Sequence, residues 1–309
     1  MSRKILAVVL LGLVAVAGEG GTLYWGGGTG DIGDGTALPT DLPGLTGTWD
    51  TNTLNWAADT GGASYTAWSN AGPSNTAYFG YGVTAASATP ATVTIEQDLA
   101  LNRLDIAIAN NQVNKDLEFD AVTPITLTLN GTSPTVELYG GVNWTGRFFS
   151  NVALAGSQGL RCITGTGSQR TFLEINGDAS GLSGPVTLSG HEQSEFTFLP
   201  GSSLGSTNVS VHAGVFSLRS GSGAANTAFP DDAVVALEGS RAVFNPRAWG
   251  GATPSSETIG KIVLVVGYGS IAVDNWAGGG AGGDFVLGDA TAGLDRGPHG
   301  KGMMALRTQ

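Results

Sequence analysis

Between Val209 and Val273 apolar and polar residues alternate in short runs, and the runs come in pairs divided by a glycine: VSVHAGVFSLRS, VVALEGSRAVF and KIVLVVGYGSIAV. In the first pair Val209, Val211, Phe216 and Leu218 fall on one side of an extended chain. Ser210, His212, Ser217 and Arg219 fall on the other, because successive side chains of a strand point to opposite faces. Alternation of this kind predicts strands with one buried face. The dividing glycines, Gly214, Gly239 and Gly267, recur at nearly even intervals, and Gly190 precedes the first by a similar interval. Intervals of this size, within roughly 20 to 50 residues, mark a stacked array in which each unit covers the apolar face of its neighbour.

The same alternation predicts strands upstream at 93–95, 104–108, 117–119, 125–129, 136–138, 152–154 and 172–175. Gly131, Gly156 and Gly177 follow strands at comparable intervals. Past residue 17 no long window keeps an apolar period of about 3.6 residues, so few helices are expected. The expected class is all-β: a single-stranded right-handed parallel β-helix, or β-solenoid.

The first residues read differently. Arg3 and Lys4 precede an unbroken apolar run at 5–16, and Ala15-Val16-Ala17 is a small-x-small cleavage pattern. Residues 1–17 are expected to be a signal peptide, too short in their apolar run to anchor the chain. Residues 18–91 are rich in glycine and aromatics, with four of the seven tryptophans at Trp25, Trp49, Trp56 and Trp68. A solenoid needs its first coil closed against water and against other chains, and large aromatics close it efficiently. Residues 18–91 are therefore expected to be an N-terminal cap, residues 92–274 the solenoid repeats, and residues 275–309 a glycine-rich tract with a short strand at 285–287.

Trp49-Asp50-Thr51-Asn52-Thr53-Leu54-Asn55-Trp56, preceded by Leu23-Tyr24-Trp25-Gly26-Gly27 and followed by Trp68-Ser69-Asn70 and Ala77-Tyr78-Phe79-Gly80, resembles the N-terminal module of the autotransporter-associated β-strand repeat proteins. The stretch SVHAGVFSLRSGSGAANTAFPDDAVVALEGSRAVF resembles their repeat. The resemblance implies an exported bacterial β-solenoid, exposed at the cell surface and adhesive or structural. Family members commonly end in a membrane barrel or a hydrophobic sorting tail, and residues 275–309 match neither.

Composition narrows the partners. Glycine occupies 50 of 309 positions, and only 13% of residues are charged, so Ser, Thr and Asn carry much of the polar surface. Such a surface suits contact with neighbours or sugars better than steering of ions. Without Arg3 and Lys4, 12 basic residues face 25 acidic ones, which disfavours nucleic acid. No membrane span is expected in the mature chain. Cys162, the single cysteine, sits in the alternating LRCIT and reads as a small core residue.

A catalytic set is hard to assemble. Asp231-Asp232 is the one adjacent acidic pair, but it follows Pro230 in a loop, and a glycoside hydrolase needs two carboxylates held across a sugar. His191, His212 and His299 lack metal-ligand spacing. Asp31 and Asp34, and Asp284 with Asp289, lie in glycine-rich loops that suit calcium but miss the calcium-roll pattern. The expectation is no catalytic, cofactor or metal site. Trp144, Trp249 and Trp276 read as loop residues available for ligand contact, while the other four tryptophans read as cap core. The leading expectation is a non-enzymatic, exported structural or adhesive solenoid that touches cell-surface polysaccharide or a host or neighbouring surface through its outward Ser/Thr/Asn rows and loops. The alternatives are a carbohydrate-binding module and a polysaccharide-degrading β-helix, with self-association through an open C-terminal coil also in view.

Overall fold

A computed structural model describes residues 21–28, 37–71, 75–83, 89–108, 115–140, 144–164, 171–191, 194–199, 201–220, 225–226, 229–248, 256–265, 268–273, 284–287, 294–295 and 303–308. The chain is a parallel β-solenoid. Each turn lays one strand on each of three sheets, as Arg103–Ala107, Lys115–Asp120 and Ile125–Leu129 do, and the next turn places Thr135–Tyr139, Trp144–Phe148 and Val152–Gly156 in parallel beside them. Five consecutive turns of this form occupy residues 76–204. Parallel ladders continue the first two sheets to Met303–Thr308, which pairs with Tyr268–Val273. No described residue is α-helical, and no described helix is long and apolar enough to cross a membrane.

The register gives the true repeat. On the first sheet Leu104, Val136, Cys162, Leu188, Val211, Leu237 and Leu264 lie in line, at unequal steps of which Leu104 to Val136 is the longest and Leu188 to Val211 the shortest. All seven are buried. On the second sheet Leu117, Gly146, Leu173, Phe196 and Phe216 form one inward row, and Phe119, Phe148, Ile175 and Phe198 form another. Phe119 and Phe148 stack at 5.0 Å between centroids. Every turn thus covers the apolar flank of the one before, at about 25 cal/mol per Å² of surface removed from water.

All seven upstream strands expected from alternation are strands, and 285–287 falls in Asp284–Leu287. Two of the three paired runs are single long strands, Asn208–Ser220 and Val234–Ala248, and the third is two strands, Lys261–Leu264 and Tyr268–Val273. Asn208–Ser220 bends from the first sheet to the second, pairing with Val186–Gly190 and then with Glu195–Phe198. Val209, Val211 and Phe216 point inward as expected. Ser217, expected to be solvated, is fully buried, as is Thr197 beside it in register.

The glycine spacing does not mark one structural position. Gly190, Gly214 and Gly239 lie between first-sheet and second-sheet strands, Gly131 and Gly156 between the third and the first, and Gly177 between the second and the third. Even Gly214 and Gly239 are not counterparts: a register shift between Val211 and Ala213 sets Gly214 opposite Ala242. Gly239 lies against His212 instead, where a Cβ would stand 1.3 Å from the His212 carbonyl oxygen. Gly267 lies outside the described residues.

The four tryptophans of the aromatic segment pack against the first turn, whose opening strand, Thr76–Phe79, lies within the segment expected to be cap. Trp25, Trp49, Trp56 and Trp68 are all buried, with Trp25–Trp56, Trp49–Trp56 and Trp56–Trp68 centroids at 5.0, 5.2 and 4.8 Å. Phe79 joins this cluster to Phe119 at 5.1 Å. Thr22–Trp25 pairs in parallel with Thr76–Phe79 on one side and antiparallel with Trp56–Ala57 on the other. The antiparallel strand covers the edge that a further parallel turn would have taken.

Asp50 builds the turn between Trp49 and Trp56. Its Oδ1 accepts from the Asn52 and Thr53 amides at 2.7 and 2.6 Å, and its Oδ2 accepts from Thr53 Oγ1 at 2.8 Å. Asn55 Nδ2 donates to the Thr48 carbonyl at 2.8 Å and closes the turn. Burial pushes the Asp50 carboxyl upward, but the Thr53 and Asn52 hydrogen bonds outweigh it and hold the carboxyl below its usual range. A lowered folded value stabilises the fold above the ordinary aspartate range near 3.9, and the contribution fades as pH falls through the folded value. Asp50→Ala is expected to lower unfolding free energy by about 1–3 kcal/mol at pH 7. Denaturant melts at pH 7 and near pH 2 check this, since the gap from wild type should shrink at the lower pH.

Cys162 is buried in the first-sheet row, and burial, with the Glu137 charge behind it, pushes its thiol far above the ordinary range. The small-core-residue reading holds. A thiol reagent is expected to label Cys162 only in denaturant, at the rate of unfolding. Prompt labelling of the native protein would contradict the placement.

Candidate functional site

The described part of the chain does not bring the sequence-derived contact residues together. Trp144 is not in a loop: it opens the strand Trp144–Phe148, is fully buried, and donates from Nε1 to the Gly140 carbonyl at 2.9 Å. Its position after a glycine and an asparagine hides a strand start whose inward rows are Trp144, Gly146 and Phe148. Trp249 and Trp276 lie outside the described residues, as do Asp31, Asp34, Asp289 and His299. Asp231 and Asp232 are exposed in the turn after Pro230. His212 is exposed, with Nε2 3.5 Å from Glu238 Oε2, and Ser210 Oγ donates to Glu238 Oε1 at 3.1 Å. Among the described residues no group of three or more His, Cys, Asp or Glu is placed to hold a metal ion.

What the fold does assemble lies on the outer faces of the first two sheets. On the second sheet the register lines up Thr92, Glu118, Arg147, Glu174 and Thr197. Arg147 Nη1 lies 3.2 Å from Asp116 and 3.4 Å from Glu118, and Nη2 lies 2.8 Å from Glu174. Its guanidinium is 6.0 Å from the Phe149 ring centroid. Burial works against the charge of Arg147, but Glu174 first, then Asp116 and Glu118, hold the guanidinium above its ordinary value.

On the first sheet Tyr78, Asp105 and Glu137 lie in register, with Tyr24 one strand earlier beside Tyr78. Arg103, on the next outward row, donates from Nε to both Asp105 oxygens at 2.7 and 2.9 Å, from Nη2 to Glu137, and from Nη2 to the Tyr139 hydroxyl at 2.7 Å. Around this knot four tyrosines touch. Tyr24–Tyr78, Tyr24–Tyr81 and Tyr78–Tyr81 centroids are 5.4, 5.2 and 5.8 Å apart, and Tyr139 stacks on Tyr78 at 6.5 Å and 18°. Tyr139 reaches Tyr78 across the intervening strand because that strand places only Ala107 opposite it.

The electrostatics of this patch follow from its half-burial. Burial raises the Asp105 carboxyl, Arg103 opposes the rise, Glu137 adds to it, and the net direction is up. A carboxyl raised in the folded state weakens the fold above its folded value and regains stability as pH falls, the opposite sign from Asp50. Burial, then the Asp105 charge, pushes the Tyr139 hydroxyl up to about 12. Tyr78 is raised by burial and by Asp105. Both phenols therefore stay neutral at physiological pH, and they are bordered by one guanidinium and two carboxylates bonded to it. Individual tyrosines are visible in the sequence, but their clustering needs the register, so composition and spacing alone miss it.

Fold and surface together define a parallel β-solenoid whose assembled chemistry lies on its outer faces. In comparisons with known proteins no family model, no curated protein and no solved structure matches the chain.

Arg147→Met is expected to leave Asp116, Glu118 and Glu174 facing one another without a cation and to cost about 1–3 kcal/mol. Adding Glu174→Gln should recover part of the loss, because one unpaired charge is removed. Denaturant unfolding of both variants measures the difference, and equal stability for Arg147→Met and wild type would show the ladder to be energetically idle.

Proposed function

We propose that the chain is exported and that the mature protein acts without catalysis, as a structural or adhesive element at the cell surface or in the secreted fraction. The carrying observation is the outer surface of the solenoid. Side chains of successive turns are tied to one another there, through Arg103 with Asp105, Glu137 and Tyr139 and through Arg147 with Asp116, Glu118 and Glu174. They form rows of outward side chains along the stack in which Arg103, Arg147, Asp116 and Glu118 are partly exposed and Asp105, Glu137 and Glu174 lie buried beside them, a tied surface that suits contact with another. A stacked array also gains reach with each turn at a nearly constant stability increment, which suits a protein that presents a face at a distance. Support for export comes from the basic start, apolar run and small-x-small pattern of residues 1–17. The resemblance of Trp49 to Trp56 and of the downstream repeat to the autotransporter-associated repeats points the same way.

Expression of the full chain in a bacterial host, followed by fractionation and N-terminal sequencing, tests this reading. The expected product begins at Gly18, lies outside the cytoplasm, and releases no reducing ends from pectin-like or algal polymers. Cytoplasmic retention with residues 1–17 intact would overturn the export reading, and release of reducing ends lost on Asp232→Asn would favour the polysaccharide-degrading alternative.

A further inference from the structure

We propose that Tyr24, Tyr78, Tyr81 and Tyr139, with Arg103, Asp105 and Glu137, form a binding strip for a neutral polysaccharide. This deepens the adhesive reading by naming the contact and the chemical class of its ligand.

The strip runs along the stacking direction. Tyr24 and Tyr139 stand on Thr22–Trp25 and Thr135–Tyr139, with Thr76–Phe79 and Arg103–Ala107 between them. Three strand spacings make about 14 Å, so the length suits several sugar units rather than one. Tyr81 reaches the strip from a turn, not a strand: Gly80 and Gly82, at φ of 78° and 79°, fold the corner back, and the Val83 amide donates to the Gly80 carbonyl at 3.1 Å. Tyr81 is 42% exposed, one of two large hydrophobic side chains open to water among the described residues. Holding four amphipathic rings in mutual contact at a water-facing surface is a common property of recognition sites, since such rings offer area at low conformational cost.

Charge and geometry select the ligand. The patch carries one guanidinium against two carboxylates. An anionic ligand, whether a uronate polymer, a phosphate or a nucleic acid, meets uncompensated negative charge. A quaternary ammonium needs rings spread around a gap, but these rings are already paired edge to face, at 69° and 70° for the two pairs that Tyr81 makes. A neutral pyranose fits both constraints. Its C–H faces lie on the rings, and its hydroxyls meet the tyrosine hydroxyls and the Arg103 guanidinium, whose side chain is a third exposed, while Asp105 and Glu137 lie buried beside Arg103 and hold it in place.

Affinity electrophoresis of the purified mature protein in gels cast with a neutral β-glucan, a neutral mannan or galactan, or polygalacturonate tests the strip independently of export. Retardation by at least one neutral polymer and not by polygalacturonate is expected. Tyr81→Ala, which removes an exposed ring from a turn, should weaken the retardation at least tenfold with an unchanged circular dichroism spectrum. Val122→Ala, 86% exposed on another part of the surface, should leave it unchanged. Tyr139→Phe should keep the stacking and lose part of the affinity. Migration unaffected by every neutral polymer, retardation by polygalacturonate alone, or neutral-polymer retardation that survives Tyr81→Ala would each overturn the proposal. Because no arm depends on residues 1–17, failure here leaves the export reading standing, and failure of export leaves this result standing.

Discussion

The whole structure depends on one constraint: in a parallel stack every side chain sits directly against its counterpart in the turns on either side. On the inside this is favourable without further design. Leu104, Val136, Cys162 and Leu188 need only be apolar and of tolerable size, because each closes the flank that its neighbour leaves open. A small residue is accepted where a neighbour fills the space: at Gly146 a Cβ would meet Ile106 Cδ1 and Leu138 Cδ2 at 3.4 and 3.5 Å. What the stack cannot supply is its own first neighbour. The tryptophan cluster and the antiparallel Trp56–Ala57 strand supply it, and this is why the large aromatics crowd one end of the sequence.

On the outside the same constraint is a hazard. Parallel register sets like against like, and carboxylates on adjacent strands about 4.8 Å apart repel. With 25 acidic residues against 14 basic ones, the chain answers in two ways. It places Thr, Ser or Ala at many outward positions, and the charged fraction of the chain is 13%. Where carboxylates do stack, as Asp105 does on Glu137, a single arginine from the neighbouring row is bonded to both. The second sheet places Arg147 between Glu118 and Glu174 directly. The two arginine knots are thus consequences of the register as much as features of the surface, and the first of them fixes Tyr139 by its hydroxyl.

Alternation makes the strands legible because inward and outward positions differ in polarity whatever the turn. Trp144 misleads for the opposite reason: Trp144-Thr145-Gly146-Arg147-Phe148 has a glycine at an inward position and follows loop-forming residues, so its alternation is masked. The glycines mislead in another way. Their even spacing reflects the length of a turn, but a turn has three corners, and any corner tolerates glycine. Gly131, Gly156 and Gly177 recur regularly while serving two different corners. Ser217 and Thr197 show a further limit, since alternation assigns a face but not what lies over it. The tyrosine strip is illegible because Tyr24, Tyr78 and Tyr139 lie far apart along the chain and meet only through steps of unequal length.

Those unequal steps show where the fold leaves room for function. The step from Leu104 to Val136 is much longer than that from Leu188 to Val211, yet both end in the same register and burial. The difference is absorbed at corners: residues 130–134 join Ile125–Leu129 to Thr135–Tyr139 in the longer step, whereas residues 205–207 join Ser203–Leu204 to Asn208–Ser220 in the shorter one. Loop closure costs little for each added residue, so corners lengthen without disturbing the rows they connect. A side chain needed on the outer face can therefore come from a strand, where register fixes its height, or from a corner, where it reaches over the strands. The tyrosine strip uses both. Tyr24, Tyr78 and Tyr139 take their places from the ladder, and Tyr81 is delivered by a glycine-flanked corner that the stack itself does not require.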